Sequence, residues 1–194
     1  IMDLDIADRA GPYRNAFLSH SLAALDLSLR GKLAVINGDP VSVLHDVIER
    51  YAITSVHVSQ DFAPYGVARD RAVAAAGIVL NQVGSGYAVA PGRVHKPDGT
   101  NYRVFTPFYR AWLAHGWRPP VAAPINPVFV PPDGVDRQFP SWKPPTGIVI
   151  QEAGEEAALN RWNEFKNGDL AAYAEARNIP GIEGTSRMSP HLRW

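Results

Sequence analysis

Cysteine is absent from this 194-residue sequence. That excludes a disulfide scaffold, a thiolate metal site and a cysteine nucleophile. An excess of charge is absent too, since 19 Lys and Arg face 19 Asp and Glu. Bulk electrostatics therefore gives no argument for nucleic acid or membrane, although a local basic patch stays open. No apolar run approaches the ~20 residues that a membrane span needs, and no signal peptide is expected. His20, His45, His57, His95, His115 and His191 show no ligand spacing and read as surface or capping residues. Phosphate cradles are missing as well: there is no Walker pattern, and Gly84-Ser85-Gly86 lacks the third glycine and following helix of a dinucleotide fingerprint. No nucleophile elbow occurs. Composition and spacing alone name no hydrolase, kinase or dehydrogenase. They lead us to expect a soluble, intracellular protein with no metal and no membrane partner; a cytoplasmic monomer is the expectation adopted, although composition and spacing do not speak to oligomeric state.

What is present is a core-forming chain, 46% hydrophobic, long enough for one domain or one domain and part of another. From Arg14 to Leu29, Phe17, Leu18, Leu22, Leu25 and Leu29 recur at helical steps, and Gly31 stops the run. Lys32 to Ile36 reads as a short strand. In Asn37-Gly38-Asp39-Pro40, Asp39 suits an N-cap and Pro40 the first helical position of a helix facing inward with Val43, Leu44, Val47 and Ile48. Thr54 to Val58 is a second strand, Gly66 to Ala76 a helix ended by Gly77, and Ile78 to Val83 a third strand. Strand and helix alternating over short connections predict α/β architecture with a doubly wound parallel sheet.

From Arg118 to Thr146 nine prolines, Pro119, Pro120, Pro124, Pro127, Pro131, Pro132, Pro140, Pro144 and Pro145, break any helix or central strand. This stretch predicts an extended linker with Phe129, Phe139 and Trp142 as anchors. Beyond it, Glu155 to Lys166 and Asp169 to Arg177 read as two helices parted by Asn167-Gly168. The expected organisation is an α/β domain over 1–117, a linker over 118–150 and the start of an all-α domain over 151–194. The chain opens at Ile1 and stops at Trp194 directly after a motif, so a fragment of a longer protein is expected. Its sheet would lack an opening strand, which would make the piece poorly soluble alone.

Four strings are distinctive as wholes: Asp61-Phe62-Ala63-Pro64-Tyr65-Gly66-Val67-Ala68-Arg69-Asp70, Tyr102-Arg103-Val104-Phe105-Thr106-Pro107-Phe108-Tyr109-Arg110-Ala111-Trp112, Gly38-Asp39-Pro40, and Gly184-Thr185-Ser186-Arg187-Met188-Ser189-Pro190-His191-Leu192. In this order, with the proline-rich crossing between them, the chain resembles the DNA photolyase and cryptochrome family. It is most similar to bacterial class I cyclobutane-dimer photolyases. The resemblance implies an N-terminal α/β domain able to hold an antenna pigment, a connector, and a helical domain that binds FAD. It also implies light-driven electron donation to a pyrimidine dimer flipped out of UV-damaged DNA. Most of that helical domain would lie beyond Trp194, so the piece alone is not expected to repair DNA.

The C-terminal string is where the resemblance places the flavin. Tyr173 lies twelve positions before Thr185, as in the family, and Tyr173, Thr185, Ser186, Arg187, Met188 and Ser189 are the implied FAD contacts. Hydroxyls and N–H groups at a helix start suit a pyrophosphate, and Met188 replaces the family's leucine with little change in volume. The plainer reading makes Gly184-Thr185-Ser186 a helix cap and Tyr173 a core aromatic. Arg177 matches a family arginine that meets DNA phosphate; a solvated helix-end cation is its alternative.

For the antenna, Asp61, Pro64, Tyr65 and Gly66 match a string found in deazaflavin-using relatives, whereas Ala63 and Val67 replace its Glu and Arg. Folate-using relatives carry Asn-Glu where this chain has Tyr65-Gly66. Arg14 stands where a family arginine approaches the deazaflavin. The alternative is an altered pocket in which Asp61 only caps a loop. Phe108, Trp112 and Trp117 read as packing aromatics rather than electron carriers. Two further functions stay open: a cryptochrome-type blue-light receptor on the same scaffold, and an unrelated α/β binding module.

Overall fold

Proline, glycine and one aspartate set most of the element boundaries. The computed structural model describes residues 1–122, 124–129, 134–135 and 137–193; Pro131, Pro132 and Trp194, singled out above, lie outside the described residues. In chain order the elements are α1 (Leu4–Ala10), α2 (Pro12–Ser28), α3 (Pro40–Tyr51), β1 (Val56–Gln60), α4 (Pro64–Ala75), β2 (Leu80–Ser85) and α5 (Phe105–His115). They continue as α6 (Glu155–Asn167), a 3-10 turn (Asp169–Ala172), α7 (Tyr173–Ala176) and α8 (Ser189–Arg193). The chain divides into two units, Ile1–Gly38 with Phe129–Trp194, and Asp39–Val128.

In the unit Asp39–Val128, α3 begins as its sequence dictates. Asp39 sits in the extended region and its carboxylate accepts from the Ser42 N–H and hydroxyl, both at 2.9 Å. These bonds favour the ionised form and hold the Asp39 carboxyl below its ordinary value. Val43 is buried, and Leu44, Val47 and Ile48 are half-buried on the same side. Strands β1 and β2 pair in parallel, Val56 beside Leu80 and Val58 beside Gln82, with α4 as the connecting helix. The parallel α/β expectation is met, each strand starting two residues later than its β-branched run. Gly77, at φ 82°, ends α4 in the conformation that a glycine tolerates. Val73 and Ile78 form the core with Val43, and the buried Asp70 is paired by Arg69 and Gln82. Helix α5 is not among the predicted elements, although Phe105, Phe108, Tyr109, Trp112 and Leu113 stand at helical steps. Its rings pack on one another, Phe105 on Tyr109 at 5.6 Å and Tyr109 on Trp112 at 6.4 Å, and Trp117 just beyond the helix stacks on Trp112 at 4.7 Å.

In the other unit, α1 and α2 close on Ala7, Ala16 and Phe17. The Asn15 side-chain amide donates to Ala7 O at 2.8 Å, while its buried Oδ1 has no partner among the described residues. Of the predicted α2 stripe only Phe17 is buried; Leu18, Leu22 and Leu25 line an open groove with Phe17, Ala158 and His191. The strand expected at Lys32 to Ile36 does not form. One isolated parallel bridge joins Met2 to Asn37, and on the other side Val35 O accepts from the Gln138 N–H at 2.7 Å. Each neighbour supplies too short a pairing partner for a ladder, so β propensity there yields an extended segment with Val35 buried.

Residues 137–142 of the proline-rich stretch are tied to side chains of α2. Arg137 pairs with Asp26 at 2.5 Å and lies 5.0 Å over the Phe139 ring. The Ser19 hydroxyl donates to Pro140 O at 2.9 Å and accepts from the Trp142 N–H at 3.1 Å. Phe139 and Trp142 are thus anchored, whereas Phe129 is 45% exposed. The helix expected over Asp169 to Arg177 is instead the 3-10 turn running into the short α7. Among the described residues, no helix is long and apolar enough to cross a membrane.

Candidate functional site

The segment from α6 to α8 brings most of the expected flavin residues together. Phe165 of α6 is buried and meets Tyr173 edge-on at 5.9 Å, with Trp162 at 6.0 Å on its other side. This fixes the Tyr173 ring while leaving the residue 38% exposed. Arg177, one turn on, lies 5.7 Å over the same ring. Arg177 is exposed and has no ion pair among the described residues, which leaves its guanidinium for an external anion.

After α7 the chain returns through Gly184. A β-carbon there would lie 2.4 Å from Ala176 Cβ and 2.9 Å from the Ala176 carbonyl carbon. Only glycine lets the loop lie against the end of α7 in this way. Arg187 has φ 53°, a left-handed conformation, and its guanidinium pairs with Glu183 at 2.7 Å. The last short helix follows, with Leu192 N–H donating to Met188 O at 3.0 Å.

The organising residue of the loop is Arg161, which the sequence reading missed. Its Nε donates to Ser186 O and its Nη2 to Thr185 O, each at 3.0 Å, while Nη1 reaches Glu164 at 3.2 Å. No local pattern announces this, because its partners are backbone carbonyls about two dozen residues away. The Thr185, Ser186, Ser189 and Tyr173 hydroxyls make no hydrogen bond among the described residues. Neither do the Ser186 and Arg187 N–H groups. Open hydroxyls and N–H groups, on a loop whose carbonyls are turned inward, fit a pyrophosphate. Thr185, Arg187 and Ser189 are exposed, and Ser186 and Met188 half-buried, so the loop is accessible to a ligand.

The expected antenna residues are placed as follows. Arg14, exposed on the first turn of α2, lines a cavity of about 430 Å³ with Tyr13, Phe17, Gln151 and Ser189. Arg14 and Ser189 therefore share a cavity, although the resemblance assigns them to different pigments. Asp61 lies in the other unit, where one carboxylate oxygen accepts from the Ala63 N–H at 2.9 Å. A β-carbon on Gly66 would sit 2.1 Å from the other oxygen and 2.5 Å from Asp61 Cβ.

Comparison with known proteins places the chain in a family. The family model described as DNA photolyase matches residues 1–127. A deoxyribodipyrimidine photo-lyase of Streptomyces griseus is 34% identical over 98% of this chain and 45% of its own length. An uncharacterised 31.6 kDa protein of Synechococcus sp. is 33% identical, covering 93% of this chain and 68% of that protein. The crystal structure of a class III photolyase from Agrobacterium tumefaciens superposes with TM-score 0.77 at 29% identity, over 94% of this chain and 41% of that one. The chain thus spans less than half the length of the curated photo-lyases it matches. An α/β module outside this family is excluded.

Proposed function

The chain belongs to the DNA photolyase family, and from that premise we propose that it forms the N-terminal part of a light-driven deoxyribodipyrimidine photo-lyase. The substrate is the cyclobutane pyrimidine dimer in UV-damaged DNA. The observation that carries the reading is the loop from Gly184 to Ser189, with carbonyls drawn to Arg161 and donors left open. FAD, when bound, supplies light-driven electron transfer to the lesion.

The chain's own residues hold and orient it. The Thr185 and Ser189 hydroxyls and the N–H groups of Ser186 and Arg187 donate to the pyrophosphate, with the Tyr173 phenol as a further donor and Met188 as apolar cover. Arg177 takes a phosphate of the DNA strand. A deazaflavin antenna is the second pigment of this reading, with Arg14 and Asp61, each in its own unit, as the residues that the resemblance implies for it. The organisation 1–117, 118–150 and 151–194, a monomeric state and a cytoplasmic setting belong to the same reading. That the curated relatives carry photo-lyase names supports repair over a blue-light receptor.

The test uses the protein that carries this chain. Purified protein should hold FAD and remove dimers from a UV-irradiated oligonucleotide in light but not in darkness. Ser189→Trp should lower the flavin absorbance. Flavin-loaded protein that leaves the dimers intact under illumination would overturn repair, and undiminished flavin in the variant would remove Ser189 from the site.

A further inference from the structure

We infer that Arg161 is the positioning residue of the anion-receiving loop: by binding the Thr185 and Ser186 carbonyls it turns the Ser186 and Arg187 N–H groups outward as a paired donor for a pyrophosphate. The inference rests on the flavin reading above and adds to it a residue that touches no ligand.

The argument is geometric. In a trans peptide the C=O and the following N–H point in opposite directions across one plane. Arg161 holds two successive carbonyls, of Thr185 and Ser186, at 3.0 Å each. The N–H groups in those two peptide planes belong to Ser186 and Arg187, so both face away from the guanidinium. Neither has a partner among the described residues. The left-handed φ of 53° at Arg187 bends the backbone as concave anion-binding loops require.

Electrostatics works in the same direction. A cation hydrogen-bonded to a carbonyl polarises its peptide group and strengthens the N–H as a donor. The Arg161 side chain is only 21% exposed, so water screens the effect weakly. A planar guanidinium suits the task because two of its nitrogens meet adjacent carbonyls at once, which an ammonium on a flexible stem does not match. Glu164, 68% exposed, bonds a third nitrogen and limits the rotation of the fork. The loop is supported from the other side by Gly184 lying on Ala176. Arg161 therefore acts on the ligand only through the backbone.

The experiment titrates FAD and ADP, the latter carrying the pyrophosphate without the flavin ring, into apoprotein prepared from the full-length protein. Wild type is compared with Arg161→Met and Arg161→Lys, with circular dichroism recorded for each. Selective nitrogen-15 labelling of serine and arginine follows the Ser186 and Arg187 amides. In wild type, ADP should move both amide resonances. In R161M both ligands should weaken by the same factor, roughly tenfold for the loss of charge-assisted bonds, and the two amides should no longer respond. R161K should recover part of the affinity.

If wild type binds neither FAD nor ADP, the flavin reading itself fails. If it binds both while the two amides stay unmoved, or if folded R161M binds as wild type does, the role of Arg161 is overturned and the flavin reading stands. Should R161M prove unfolded, R161K decides by the same titrations. Unchanged affinity and unchanged amide shifts in R161K would count against a two-carbonyl clamp.

Discussion

The side-chain amide of Gln82 donates to the buried carboxylate of Asp70 across 2.8 Å, tying β2 to α4. The other carboxylate oxygen takes Arg69 at 2.6 Å, and the Asp70 side chain is 6% exposed. Asp70→Ala would leave the Gln82 amide and the Arg69 guanidinium without their partner. Arg69 is 28% exposed and keeps part of its hydration. The cost should therefore be ~1–3 kcal/mol, below that of breaking a fully buried pair. Urea denaturation gives the value, and Asp70→Asn, which keeps the volume and one acceptor, should fall between. A D70A protein as stable as wild type would show that the pair contributes nothing.

Asp39 gives a pH-dependent prediction. Its folded-state carboxyl titrates below the ordinary value because the Ser42 N–H and hydroxyl bond the charged form. For a depressed carboxylate, the stabilisation is present above the unfolded-state value and is lost as pH falls through the folded-state value. The melting temperature of Asp39→Ala should therefore lie below that of wild type at about pH 7, and the difference should close towards about pH 2. A gap that persists undiminished in acid would mean that capping by the charged form is not its source.

Gly184→Ala tests how closely the loop lies on α7. The new β-carbon would meet Ala176 Cβ at 2.4 Å and its backbone carbonyl carbon at 2.9 Å. Overpacking of this kind should cost ~1–3 kcal/mol and reduce flavin retention by lifting Thr185 and Ser186 from their places. Adding Ala176→Gly removes the nearer obstacle but not the backbone one, so part of the loss should return. A double-mutant cycle measures this, and strict additivity would show that Ala176 is not what the loop rests on.

Local signals carried much of the fold. The Asp39-Pro40 start of α3, the αL glycine after α4 and the two β-branched runs each act within a few residues, so a linear reading finds them. Lys32 to Ile36 misled because strand formation depends on a partner several residues long, and Met2 and Gln138 supply only points of contact. The helical spacing of Phe105, Phe108, Tyr109, Trp112 and Leu113 was legible as well, although these residues bury no face and the rings of Phe105, Tyr109 and Trp112 stack along the helix. In the candidate site, Thr185 and Ser189 stand in a string that resembles the family's, and Tyr173 is picked out by its twelve-residue distance from Thr185. Arg161 escaped because its partners are main-chain oxygens, which leave no mark on residue identity.

The position of Gly66 has a consequence for anyone who would re-engineer the neighbouring loop. The space that a side chain at 66 would enter is filled by Asp61 down to its own β-carbon, 2.5 Å away. Trimming the acid to alanine does not clear that space, because alanine keeps the β-carbon. A library randomised over 61–67 and selected for folding should return glycine at 66 wherever it keeps a β-carbon at 61, and admit a side chain at 66 only with glycine at 61 or another course of the main chain.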